Sequence, residues 1–493
     1  MESERSKIEG YLKEYAIAEC LDEVVNELVE KRPANPYMHI SKFMETKTFG
    51  EIMDLRLKTI LTTRGLVGVR ATVTTNLMDF EATFPVNVYK GAGGGDALLD
   101  FSMAEAKSRE VIRGMDPTQI ADIDAAIGAC QNMTPPVAMA ISMACCRAGA
   151  RHSNNTPLYR FLAGLVGGQP RIPVPVMNLV GRAAGGGIDV AQTVTCLPST
   201  PSFFENALES LIAASRCVQS KLHELRTPAT VSDLGCPVVL SDMPVDELLE
   251  LVSAAIAEEG VEGVPKLGFD YRGCELMTPV AASGDEEIPM EDTSARTYQL
   301  EGAEDTPLSG GDLSEILVGI WRKTGIITLE DPLSKTDVAV DEFVIKLDEC
   351  IADIRNSMSG ECAYNLKGVA GDSKCNIQIV ADSNCQSQDD VARVAFPFNT
   401  VKVTLDKGKG SVYSALQMCK AVKDKNMTLL VGCCEGKPET DDSFLADFAV
   451  ASGCSQFCGG GICNVEYSNK YTRMLEIADK DETLKYVGKQ FRS

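Results

Sequence analysis

The chain has 493 residues, of which 44% are hydrophobic, 24% charged and 6% aromatic, and it carries a formal charge of −23. This is globular composition with room for two or three domains, which excludes collagenous, coiled-coil and wholly disordered chains. The acidic balance excludes a nucleic-acid binder held by phosphate contacts, and the longest uncharged apolar run, Val137 to Cys146, is short of the roughly 18 residues of a membrane span.

No apolar secretory run follows Met1, and 18 cysteines scattered over this length do not make the framework of a small secreted domain. A reducing, cytoplasmic setting is expected.

Residues 1–50 read as a helical hairpin. Ile17, Leu21, Val24, Val25, Leu28 and Val29 recur at helical spacing until Pro33, and Asn35-Pro36 caps a second helix carrying Tyr37, Ile40, Phe43 and Met44. Two such helices cannot bury enough surface alone, so they must pack on the rest of the chain or on another copy. Glu45 to Glu51 is polar enough for a linker.

Residues 55–175 read as an α+β domain. Strands are expected at Val67 to Thr74 and Met78 to Val88, and helices at Ala104 to Gly114, Ile120 to Cys130 and Val137 to Ala150.

Residues 176–493 alternate short apolar runs with amphipathic helices. Strands are expected at Val174 to Leu179, Thr193 to Leu197, Lys266 to Phe269, Ile326 to Leu329, Ile377 to Ala381, Thr400 to Leu405 and Thr428 to Val431. Helices are expected at Phe203 to Leu225, Pro244 to Glu259, Leu313 to Lys323 and Ser411 to Lys423. The alternation points to an α/β barrel or an open parallel sheet. The acidic stretch 278–313 interrupts it and reads as a surface insertion.

Three acids follow strands directly: Asp270, Glu330 and Asp382. Singly each is an ordinary strand-end acid. On one face of a barrel the three would converge and suit a hard divalent cation such as Mg²⁺.

Thr-Arg-Gly (63–65), Asn-Thr-Pro-Leu-Tyr-Arg-Phe-Leu-Ala-Gly-Leu (155–165), Pro-Val-Pro-Val-Met-Asn (173–178), Leu-Gly-Phe-Asp (267–270), Leu-Glu-Asp-Pro (329–332), Ile-Gln-Ile-Val-Ala-Asp (377–382) and Glu-Thr-Asp-Asp-Ser-Phe-Leu-Ala-Asp (439–447) resemble enolase landmarks in enolase order. The resemblance implies an α+β lid followed by an eight-stranded enolase-type barrel, with Asp270, Glu330 and Asp382 as ligands of a weakly held Mg²⁺.

Other positions depart from the family's pattern. Its mobile loop appears as Gly-Ala-Gly-Gly-Gly (91–95), without the serine that helps bind a second magnesium, and its histidine segment reads Gly-Arg-Ala-Ala-Gly-Gly (181–186). An active-site glutamate is replaced by Thr193 beside Gln192, and the proton-donating glutamate by Leu234. The phosphate-binding motif reads Gly-Cys-Cys-Glu (432–435), without its arginine and with Glu435 to repel phosphate, and Cys458 stands for a substrate-binding lysine.

The family's lysine base falls near Lys407, with Asp406 and Leu405 matching about as well. Cys433, Cys434, Cys458 and Cys463 have no standard metal-ligand spacing and read as buried thiols. No catalytic residue is therefore assigned.

The hairpin resembles the docking and dimerisation domain of protein kinase A regulatory subunits and its Dpy-30-like relatives, in which two hairpins receive an amphipathic anchoring helix. That implies an interface at Ile17, Leu21, Val24, Leu28, Ile40 and Phe43, and homo- or hetero-oligomers. The combination resembles the enolase 4-like type of cilia and flagella. The reading is an enolase-fold pseudoenzyme scaffolding axonemal proteins; the alternative is an active phosphopyruvate hydratase, converting 2-phosphoglycerate to phosphoenolpyruvate.

Overall fold

The computed structural model describes residues 4–488 except 48–49, 63–64, 87–99, 184–189, 199–202, 226–228, 232–233, 240–242, 259–264, 274–276, 280–295, 299–307, 325, 335–342, 344, 347–348, 350–376, 395–397 and 434–437.

The N-terminal unit has three helices rather than two: α1 (Glu4–Glu14), α2 (Ile17–Lys31) and α3 (Pro36–Lys47). Ala16, at φ +47°, separates the first two. The Asn35 carboxamide oxygen accepts the Met38 N–H at 3.0 Å, the cap expected in front of Pro36. Val24 is buried, Ile17, Leu28, Ile40 and Phe43 are half-buried, and Leu21 remains 48% exposed. The segment expected to be a linker is partly helical, since α3 continues to Lys47.

The lid sheet is an antiparallel meander of β1 (Ile52–Leu61), β2 (Val67–Thr75) and β3 (Asp79–Pro85). β1 has no counterpart in the sequence expectations; its buried Ile52, Leu55 and Leu57 are interrupted by Asp54 and Arg56. Helices α4 (Ser102–Ile112), α5 (Ile120–Gly128), α6 (Pro135–His152) and α7 (Leu158–Val166) follow. Small residues along α6 bring it close to β2, β3, α5 and α7, and Ala138, Ala140, Ala144 and Ala148 are buried there.

The third unit contains β4 (Val174–Ala183), β5 (Val190–Leu197), α8 (Phe204–Glu224), β6 (Ala229–Val231), β7 (Pro237–Val239), α9 (Val245–Glu258), β8 (Lys266–Asp270), β9 (Met277–Pro279), β10 (Arg296–Tyr298), α10 (Gly310–Thr324), β11 (Thr328–Glu330), β12 (Gln378–Ala381), α11 (Gln388–Arg393), β13 (Thr400–Val403), α12 (Val412–Asp424), β14 (Thr428–Gly432), α13 (Phe444–Ser452), β15 (Gln456–Cys458) and α14 (Val465–Lys480).

Strands β4, β5, β8, β11, β12, β13, β14 and β15 form a closed ring, because β15 pairs back onto β4. The expected eight-stranded barrel is therefore present. β5 runs antiparallel to both β4 and β8; the remaining neighbours in the ring are parallel. Within the expected acidic insertion, β9 and β10 pair antiparallel and α10 begins at Gly310. Residues 280–295 and 299–307 of that stretch lie outside the described residues.

The barrel interior carries a hydrogen-bonded polar layer. Thr328 Oγ1 donates to Gln378 Oε1 at 3.1 Å, and the Gln378 and Gln456 amides donate to Thr400 Oγ1 at 3.0 Å and Gln378 Oε1 at 3.1 Å. Gly268 faces this layer, where an added Cβ would lie 2.5 Å from Thr195 Oγ1.

Polar clamps fasten the lid to the barrel. Arg147 of α6 pairs with Asp442 at 2.5 and 2.9 Å, and Asp442 accepts the Thr83 N–H at 2.9 Å. Asp124 of α5 accepts the Ser411 hydroxyl at 2.6 Å and the Tyr413 N–H at 3.1 Å, while Ser142 of α6 accepts the Val412 N–H at 3.0 Å.

Candidate active site at the barrel mouth

The carboxyl ends of β8, β11 and β12 bring Asp270, Glu330 and Asp382 to one end of the barrel. Registers Glu330↔Asp270 and Glu330↔Val380 place the first two side by side and Asp382 just beyond. All three are engaged by cations of this chain.

Asp270 is buried and accepts the Arg272 N–H and Nε–H, each at 3.2 Å. The Lys402 ammonium reaches Glu330 Oε1 at 2.7 Å and Asp382 Oδ2 at 3.1 Å. Lys407 Nζ donates to Asp382 Oδ1 at 2.6 Å, to the Asp382 carbonyl at 2.8 Å and to the Lys402 carbonyl at 2.7 Å.

Lys402 has no solvent exposure. It lies two residues after inward Thr400 on β13, so the strand's period delivers it to the same interior face. Burial opposes ionisation of Asp382, but the Lys402 and then the Lys407 charges outweigh it and hold that carboxyl well below the usual carboxylate range. Asp331 behaves oppositely: burial, reinforced by the Asp382 charge, pushes its carboxyl up. It accepts the Asp382, Ser383 and Asn384 backbone N–H groups at 3.0, 2.5 and 3.4 Å and so shapes the turn after β12.

Mg²⁺ normally requires oxygen ligands at about 2.0–2.1 Å in an octahedral shell. Here an ammonium bridges two of the expected ligands and a guanidinium engages the third. Among the described residues no group of three or more His, Cys, Asp or Glu side chains is placed to hold a metal ion. The three acids thus meet at one barrel end, but their arrangement, each engaged by a cation of this chain, does not fit Mg²⁺.

The other positions singled out in the sequence are hydrophobic or polar without charge. Leu234 is 1% exposed and packs with Cys236 and Val238. Thr193 is opposite Asp270 in the β5–β8 register, and among the described residues its buried hydroxyl has no hydrogen-bond partner. Gln192 accepts from Arg182 at 3.2 Å. Cys458 is buried, with its thiol 3.5 Å from Asn178 Oδ1, and burial pushes the Cys433 thiol up. Residues 91–95, 184–186, Cys434 and Glu435 lie outside the described residues.

Between lid and barrel lies a cavity of about 70 Å³, lined by Phe84 and Met143 of the lid and by Leu405, Asp406, Cys433 and Glu439 of the barrel. That is room for only a few water molecules. Among its described lining residues Lys470 is the sole cation, and its ammonium is 3.1 Å from the Thr440 carbonyl and 3.8 Å from Glu439.

Sequence reasoning missed Lys402 and Arg272. A lysine between Val401 and Val403 in an apolar strand, and an arginine two residues beyond a strand-end acid, were the available signals. Of Leu405, Asp406 and Lys407, the three matched to the expected base, Lys407 reaches Asp382, as Lys402 also does.

A family model described as the enolase C-terminal TIM barrel domain matches residues 364–493. The chain is 23% identical to cytosolic enolase 3 of Arabidopsis thaliana, an alignment covering 98% of this chain and 99% of that protein. It is 26% identical to the enolase of Mastigamoeba balamuthi over 87% of this chain and 95% of that protein.

Proposed function

We propose that this chain, an enolase-fold protein at low identity to the enolases, does not dehydrate 2-phosphoglycerate and works as a scaffold tethered through its N-terminal helices. The observation that carries this reading is Leu234. Where the enolase resemblance implies a proton-donating glutamate, a leucine is buried against Cys236 and Val238. Loss of one acid-base or electrostatic participant costs on the order of 10²- to 10⁴-fold in rate. The Cys458, Cys433 and Thr193 substitutions compound that loss, even allowing for non-additivity.

The attachment is assigned to the N-terminal helices, with an amphipathic helix of an axonemal protein as partner and a ciliary or flagellar axoneme as location. Supporting it, Leu21, Val25 and Val29 form an exposed stripe at i, i+4 and i+8 on α2.

The alternative, an active phosphopyruvate hydratase, draws support from the nearly complete alignment with an enolase and from Lys407 near the base position. An assay of purified protein with 2-phosphoglycerate and Mg²⁺, following phosphoenolpyruvate, separates the two. No turnover is expected; turnover within about a hundredfold of an ordinary enolase, abolished by Asp382→Ala, overturns the proposal.

A further inference from the structure

We propose that Lys402 is the built-in counter-cation of the barrel mouth, its ammonium standing between Glu330 and Asp382 where a divalent ion would otherwise be needed to hold the two carboxylates together. The inference rests on reading this pocket as one that does not work as an enolase, and goes beyond it by naming what replaces the metal.

The ammonium is 2.7 Å from Glu330 and 3.1 Å from Asp382, distances of charge-assisted hydrogen bonds. It arrives from inside the barrel on a fully buried strand, so withdrawal offers it no route to water. Its stem also has a fitted passage. On neighbouring β14, a Cβ added at Gly432 would lie 3.0 Å from Lys402 Cε and 3.4 Å from the Cys458 Cβ.

The surrounding charges complete the case. Among the described residues, Asp270 is engaged by Arg272, Glu330 by Lys402, and Asp382 by both Lys402 and Lys407. Lys407 has three oxygen acceptors for its three N–H donors. A divalent ion would enter a cluster already compensated and would have to displace a buried ammonium. Conversely, removing the Lys402 charge leaves two neighbouring acids with a cation-sized gap.

The test is thermal unfolding and calorimetry of the full chain in chelator and in millimolar MgCl₂, with no turnover read. The parent is expected to bind no Mg²⁺ at this site and to shift its Tm by less than about 1 °C on adding it. Lys402→Met should melt about 5 °C or more lower in chelator and regain at least half of that loss in Mg²⁺. Adding Glu330→Gln should recover Tm without metal and abolish the Mg²⁺ response.

One Mg²⁺ bound by the parent at submillimolar concentration, lost on Asp382→Asn, overturns the inference, and this measurement stands even if Lys402→Met does not fold. A Lys402→Met protein as stable as the parent in chelator, or one that regains nothing in Mg²⁺, overturns it too. Mg²⁺ binding by a chain that does not turn over 2-phosphoglycerate sinks this inference alone and leaves the proposed function standing.

Discussion

Arg147 and Asp442 show how much a single buried pair does. The Asp442 carboxylate is nearly enclosed, and burial alone would raise its pKa. The Arg147 charge reverses that and holds it below its ordinary value. A depressed folded-state pKa means stability that is present above the unfolded carboxylate's pKa and lost as pH falls through the folded value. Arg147→Met should therefore cost about 3 kcal/mol at neutral pH, the low end for a buried pair because the guanidinium keeps 26% of its surface in water. In the variant the stranded carboxyl takes up a proton more readily, so its deficit against the parent should shrink as pH falls below about 4. Urea midpoints at neutral and acidic pH check both statements; a deficit independent of pH would mean that packing, not charge, is lost. The same chemistry explains what sequence left hidden at the barrel mouth. The three acids were legible because each ends a strand, whereas Lys402 was not, since an isolated lysine in Thr-Val-Lys-Val reads equally well as an outward residue of a half-exposed strand.

Helix α2 is the element whose sequence pattern and environment disagree most. Its apolar residues span a face wide enough for a buried helix, yet only Val24 is buried, while Leu21, Val25 and Val29 face outward. Leu21→Asp with Leu28→Asp should abolish self-association and binding of a partner helix, because charge in such an interface costs several kcal/mol. The barrel should melt as before. On the tethering proposed above, the altered protein should leave the axonemal fraction in ciliated cells; unchanged position and resistance to extraction would transfer the attachment to the enolase-like body. Elsewhere, element boundaries followed the sequence closely: α8, α9 and α12 lie within a residue or two of the expected spans, since their amphipathic period is long and uninterrupted. The misses have local causes. β15 is three residues long and carries Gln456 into the barrel, so it lacks an apolar run, and β6 and β7 are equally short. Nor does alternation record strand direction, so β5 running antiparallel to both neighbours was not legible in the periodicity.

At the scale of the molecule, the lid and barrel are interlocked while the N-terminal helices are lightly attached. Lid helices reach the barrel through Arg147–Asp442, Asp124–Ser411 and Ser142–Val412, and Tyr159 and Arg160 of α7 both bond Asp481, at 2.6 and 2.5 Å. Removal of the lid would strip these partners from buried groups of the barrel, the Asp442 side chain among them, so lid and barrel should unfold in one transition. By contrast, the ion pair that ties α3 to the lid, Glu45 to Arg151 at 2.7 Å, has both side chains about one-third exposed, and exposed pairs contribute about 0–1 kcal/mol. Val24 is the single fully buried hydrophobic among the described residues of α1 to α3. Deleting residues 1–47 should therefore move the melting temperature of the remainder by less than about 2 °C, while any concentration-dependent association disappears. Scanning calorimetry paired with sedimentation over a range of concentrations decides this. A drop of about 5 °C or more would show that the helices contribute to the stability of the body and are not a separable tether.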